Sequence, residues 1–224
     1  ARFQLLTNGA RTAPFRHQTL RAILEWSYAL LTPAEQRLLA HLAVFHGGWT
    51  AGAVEAVTGC TLDLLAQLVN KSLVVADQRA GQTRYRLLET VRQFAAEQLR
   101  SEEQRQIWNL HSRYYLHLLS EQEGRLSGPQ QRNGLEVIRT DFENFGAAWH
   151  WAVEQHEVDL LYSAAHAFFL FCDATGSFRT GVTLFAQLVA ELQSEITVND
   201  SSQASLKLLL GQALIRFGAC KVRL

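Results

Sequence analysis

Methionine is missing from all 224 residues, position 1 included. Translation starts at Met, so the sequence is expected to be a piece of a longer protein. Cysteine is scarce. Cys60, Cys172 and Cys220 are isolated and odd in number, which argues against a disulfide framework and for reduced, buried thiols in a cytoplasmic setting. An excess of one charge is missing too. The 21 basic residues match the 21 acidic ones, so net charge draws the chain neither to nucleic acid nor to an anionic membrane. No apolar run reaches the roughly 18 residues of a spanning helix and no signal-peptide pattern occurs, so no membrane partner is expected.

The motifs of common catalytic chemistries are absent as well. A phosphate-binding loop needs G-x-x-x-x-G-K-[ST], and neither Gly9 nor Gly47-Gly48 is followed by Lys-Ser/Thr. No strand ends in acidic residues suited to magnesium. There is no H-E-x-x-H and no G-x-S-x-G, and no Cys stands at ligand spacing from any of the eight His. His111 and His117, six apart, share a helix face poorly. Asp141 and Glu143, two apart, point to different sides of a helix and make no acid/base pair. Ser27, Trp149 and Trp151 read as packing residues. No catalytic residue, metal ligand or cofactor is therefore expected in this chain, and it is not expected to be an enzyme.

What the sequence does hold is apolar periodicity. Hydrophobic residues make up 48% and charged residues 19%, enough apolar material for one large or two small domains. Ala1–Phe15, with Asn8-Gly9 and Pro14, reads as loop. Helices are expected over His17–Leu31, Pro33–Phe45, Ala51–Val57 and Leu62–Lys71. Thr32-Pro33, Thr50 and Thr61 mark their starts, and Gly47-Gly48 and Gly59 mark stops. Ser72–Asp77 and Arg84–Leu88 read as two strands about a polar turn with Gly81. A helix follows at once with Leu88, Val91, Phe94, Ala95 and Leu99 on one face.

Three helices, a hairpin and a closing helix are the order of a winged helix-turn-helix, the hairpin being the wing. In a DNA reader the third helix enters the major groove, with Arg, Lys, Asn or Gln projecting from its first turns. Here that helix offers Asp63 at its start, Gln67 and Asn70 further on, and a cation only at Lys71. Arg79, Arg84 and Arg86 on the hairpin read either as phosphate contacts or as solvated surface.

The stretches TLR…WSY.LL, L.VF.GG, L…SLV and Y.LLETVR.FA.E.L, in order across Arg16–Leu99, resemble the winged-helix region of bacterial STAND-type signalling ATPases. These are NB-ARC-containing transcriptional regulators and their relatives, similar in plan to plant disease-resistance proteins and apoptotic-protease activators. The resemblance implies residues 1–31 as the end of a helical subdomain and linker helix, and 32–100 as a winged-helix domain. It also implies an upstream nucleotide-binding domain of the same protein, whose ATP or ADP this chain has no loop to hold. The family's Met-His-Asp nucleotide sensor falls here on Leu87-Leu88-Glu89. An aliphatic side chain at its centre cannot bond a phosphate, and Glu89 also reads as an acid favoured in a first helical turn. Arg86, Glu89 and Arg92 are the candidate residues facing that domain.

After Leu99 the charged SEEQRQ reads as a break. Helices are expected over Ile107–Leu119, Leu135–Gln155, Asp159–Thr175, Phe178–Leu192 and Leu206–Phe217, with Gly124–Gly134 a loop or helix start and Ser194–Ser202 a polar linker. Small Ala164, Ala165 and Ala167 beside Phe168, Phe169 and Phe171 suit closely packed antiparallel helices. The pattern D.EN..AAW.WA (Asp141 to Ala152) resembles the segment that opens a helical-repeat array in the same family. Residues 104–224 are accordingly expected to be a TPR-like, incomplete helical-repeat region. The fold class expected is mainly α, a winged helix followed by an α-solenoid. Two functions remain open. One is a regulatory module that couples nucleotide state to a helical sensor of an unknown protein or small-molecule effector; the other is a winged-helix transcription factor that binds DNA.

Overall fold

The computed structural model describes residues 15–79, 81–195 and 204–224. The loop expected before Phe15 and most of the linker at Ser194–Ser202 lie outside them. Helix α1 (Phe15–Ala29) leads into α2 (Pro33–His41), extended by a 3-10 turn at Leu42–Val44. A capping box starts α2: the Glu35 backbone N–H donates to Thr32 Oγ1, and the Thr32 N–H donates to Glu35 Oε2 at 2.7 Å. Strand β1 (Gly48–Thr50), α3 (Ala51–Thr58) and α4 (Leu62–Asn70) follow. Thr50 caps α3 through its side chain, and Gly59 ends it with φ +67. Thr61 stands at the N-cap of α4 without the expected side-chain hydrogen bond.

The wing differs from its sequence reading. Strands β2 (Val75–Arg79) and β3 (Gln82–Arg86) lie closer to the turn than the β-branched run suggested. Leu73 and Val74 are buried but unpaired in the sheet; their backbone N–H groups donate to the Leu68 carbonyl of α4. Register is set by the tight turn at Gly81 (φ +81), which pairs Arg79 with Gln82 and Asp77 with Arg84. A third strand appears where a helix stop was read: β1 pairs antiparallel with β3, Gly48 opposite Arg86 and Thr50 opposite Arg84, giving the order β1-β3-β2.

Helix α5 (Glu89–Gln98) closes the winged helix. Leu88, expected on its apolar face, is its N-cap and 48% exposed; Leu87 occupies the core instead. The SEEQRQ segment is no break. It is the first turns of α6 (Ser101–Ser120), whose Glu102 and Glu103 suit the positive end of the helix dipole. The Gly124–Gly134 stretch holds α7 (Glu123–Leu126) and the start of α8 (Gln131–Thr140). The single helix read over Leu135–Gln155 is two, α8 and α9 (Phe142–Glu154), divided at Asp141 (φ −111, ψ 21). Then come α10 (Val158–Thr175), ended by Gly176 with φ +68, α11 (Phe178–Glu195) and α12 (Ala204–Val222).

Helix α6 joins the halves. It packs on α3 of the winged helix and on α9 and α10 behind it, while α12 lies against α10 and α11. One buried cluster runs without interruption from Leu24 to Cys220. Aromatic rings carry it across the joint: Trp49 lies 5.0 Å from Phe45, Phe45 5.3 Å from His111, His111 4.7 Å from Tyr115 and Tyr115 5.6 Å from Phe145. Deeper in the array, Trp149 lies against both Phe168 and Phe185. No single helix among the described residues is long and apolar enough to cross a membrane.

Candidate functional site at the joint between wing and helical array

The polar centre of the molecule is where β1 and β3 meet α6 and the break between α8 and α9. Asn144, on the first turn of α9, is fully buried. Its Oδ1 accepts from the His46 backbone N–H at 2.8 Å and from His111 Nε2 at 3.3 Å. Its Nδ2 donates to the Gly48 carbonyl at 2.9 Å. A single amide side chain of the array thus satisfies the backbone at the start of β1. It also fixes the His111 proton on Nε2, because the oxygen it meets is an acceptor. Burial pushes the His111 imidazole down to about 3, so it is neutral here.

Arg84 of β3 makes the second link. Its Nη2 donates to Asp141 Oδ1 at 2.6 Å and to the Gly48 carbonyl at 2.7 Å, with Thr140 O at 3.5 Å. Both charged side chains are nearly enclosed, 12% and 11% exposed. Asp141 is free to turn its carboxylate to the wing because the helix breaks there. Gly47 completes the joint. Its φ of +71 is one L side chains rarely adopt, and an added Cβ would stand 3.0 Å from Glu143 Oε2. Asp141 and Asn144 therefore meet the sheet and Glu143 stands against Gly47, a role that the sequence did not point to. Arg84, read as a phosphate contact or solvated surface, is neither.

Of the three candidates named from the sequence, Arg86 shares the strand face of Arg84, while Glu89 and Arg92 sit on α5. Arg86 Nε donates to Asp77 across the wing at 3.1 Å. Glu89 and Arg92 form a two-point pair on α5, Nε to Oε2 and Nη2 to Oε1 both at 2.8 Å, with Gln93 adding a bond to Glu89 at 2.6 Å. That pairing draws the Glu89 carboxyl down to about 2. Arg92 also reaches the Ala43 carbonyl at 3.4 Å. The exposed Leu88 stands at the head of α5. Among the described residues no group of three or more His, Cys, Asp or Glu side chains is placed to hold a metal ion. Trp149 is buried, and Trp151 stacks on Trp108 at 5.6 Å while donating to Asn109 Oδ1 at 2.7 Å.

The outward surface of α4, the helix a DNA reader would insert, consists of Leu62, Asp63, Ala66, Gln67 and Asn70. Lys71 at its end is drawn back onto the buried carboxylate of Glu35 at 2.6 Å. Lys71, Arg84, Arg86 and Arg92, four of the seven cationic residues between 31 and 100, are thus held in ion pairs within the chain.

Comparison with known proteins agrees with this architecture. Residues 31–100 match the family model described as a winged helix-turn-helix domain. Over 166 residues the chain is 41% identical to a "Putative HTH-type transcriptional regulator" of Mycobacterium tuberculosis (strain H37Rv) and to its counterpart in Mycobacterium bovis; the alignment covers 70% of this chain and 18% of each relative. An "Uncharacterized protein" of Mycobacterium tuberculosis is 42% identical over 106 residues, covering 44% of this chain and 27% of that protein. The chain spans about a fifth of the length of the regulators it matches. No solved structure shows significant similarity. Residues 31–100 form a winged helix-turn-helix domain, followed by helices, in a chain homologous to proteins named as HTH-type transcriptional regulators.

Proposed function

We propose that this chain is a non-catalytic regulatory segment of a larger transcriptional regulator, in which the winged helix is a docking module fixed to a helical sensor. The observation that carries this is the direction in which the wing's polar groups point. Arg84 and the backbone of β1 are bound to Asp141 and Asn144 of the array. The helix that would read bases has no free cation on its surface. Phosphate contacts supply most of the affinity of DNA-binding proteins, so a module with four of its seven cations in internal ion pairs is less well equipped for that task. A rigid joint instead lets a shift sensed in the helices move the winged helix as one body. The resemblance to signalling ATPases supplies a further expectation, an upstream nucleotide-binding domain facing Arg86, Glu89 and Arg92.

The second reading, direct DNA binding, is favoured by the winged helix-turn-helix match and by the names of the relatives. Titration of a labelled random duplex with the full chain separates the two. Docking predicts no saturable binding at about 100 μM protein in low salt. Binding in the micromolar range with a steep salt slope overturns it in favour of DNA reading.

A further inference from the structure

The second face of the three-stranded sheet is not in the apolar core. Side chains two apart on a strand share a face, and cross-strand partners share it as well. Gln82, Arg84 and Arg86 of β3, with Asp77 of β2 opposite Arg84, therefore line one surface. Helix α8 stands across from it. Between them is a cleft of about 660 Å³, within the range of small-molecule sites, closed on the far side by Glu136, Arg139 and Thr140.

Its polar groups fall into two sets. Arg84 is held through Nη2 by Asp141 and two carbonyls, which fixes its side chain as a wall of the cleft. Arg86 is oriented by Asp77 through Nε alone, and its terminal nitrogens have no partner among the described residues. Arg139 and Glu136, both exposed, have no ion-pair or hydrogen-bond partner among the described residues. The cleft thus offers uncommitted guanidinium donors from two elements, a carboxylate one turn from Arg139, and the carbonyl end of α8 at Thr140. A plain anion would meet the repulsion of Glu136 and the negative end of the helix dipole, and a plain cation would meet Arg86 and Arg139. A molecule carrying both charges satisfies both sets.

We propose that this cleft binds a small zwitterion, an α-amino acid, with its carboxylate on Arg86 and Arg139 and its ammonium on Glu136 and the end of α8. Guanidinium pairs bind carboxylates through parallel hydrogen bonds, and the ammonium supplies donors for the carboxylate and carbonyl oxygens opposite. The ligand would span wing and array beside the Arg84–Asp141 link. The proposal stands on this cleft and not on whether the winged helix reads DNA, so the duplex titration leaves it untouched.

The test is ligand-observed NMR on the full chain with the twenty common amino acids in pools, each at about 10 mM, where a millimolar site is nearly saturated. At least one amino acid is expected to show saturation transfer, and its N-acetyl and amide derivatives are expected to lose it. Arg139→Gln, Arg86→Gln and Glu136→Gln should each weaken binding about tenfold, the scale of one charged hydrogen bond. All three side chains have solvent access, and an unchanged circular-dichroism melt verifies that each variant folds. No signal from any amino acid overturns the proposal. So does binding that survives all three substitutions, or binding that tightens in Glu136→Gln, which would mark a simple anion site.

Discussion

Asn144 is the residue on which the joint turns. It is fully buried and serves the His46 N–H, the Gly48 carbonyl and His111 at once. Truncation to alanine leaves the His46 N–H and His111 Nε2 without that acceptor in a dry site, where each unsatisfied group costs about 1–3 kcal/mol, while the Gly48 carbonyl keeps its bond from Arg84. Asn144→Ala is expected to lose about 2–4 kcal/mol of stability, read from the urea midpoint at constant slope. His111 adds a pH dependence. Its folded value is lowered from 6.5 to about 3, so between those limits the unfolded chain binds a proton that the folded chain refuses. Its contribution is complete above pH 6.5 and is lost as pH falls, by about 1.4 kcal/mol per unit. Burial lowers His41 and His46 in the same direction, so they add to the slope. Comparing urea unfolding at pH 7 and pH 5, His111→Asn should reduce the dependence by about one proton; an unchanged dependence contradicts the neutral, buried assignment.

At the scale of elements, the wing is a strand pair anchored from outside itself. Two strands are marginal in water, and here β1, the Arg84 guanidinium and the α8–α9 break supply what the hairpin lacks. Arg84→Ala, Asp141→Ala and the double variant form a thermodynamic cycle. A coupling of about 1–3 kcal/mol is expected for so enclosed a pair, against the few tenths typical of exposed ones. Gly47→Ala should cost about 1–2 kcal/mol through its positive φ, with the added methyl pressing on Glu143. The helices of the winged region were legible in the sequence because caps and glycines punctuate them. The strands were misplaced because Leu73 and Val74 carry a burial signal that resembles a pairing signal, while the paired residues Ala76–Gln78 are not β-branched. SEEQRQ misled for a similar reason: its charges are those of an exposed first helical turn, not of a linker.

On the whole-molecule scale, one core joins the winged helix to the helices after it. The sequence disclosed both parts and their order but not the joint, because Asp141, Asn144 and Arg84 act across more than fifty residues. Local patterns carry no distance of that kind. If the winged helix is fixed to the array through Asn144 and Asp141, protection in the wing must depend on them. Hydrogen exchange over Val75–Arg86 in the wild type, Asn144→Ala and the milder Asp141→Asn measures this directly. Wing amides are expected to exchange faster in both variants while α4 and α5 stay protected. Unchanged wing protection in both variants would mean that Asn144 and Asp141 do not hold the wing.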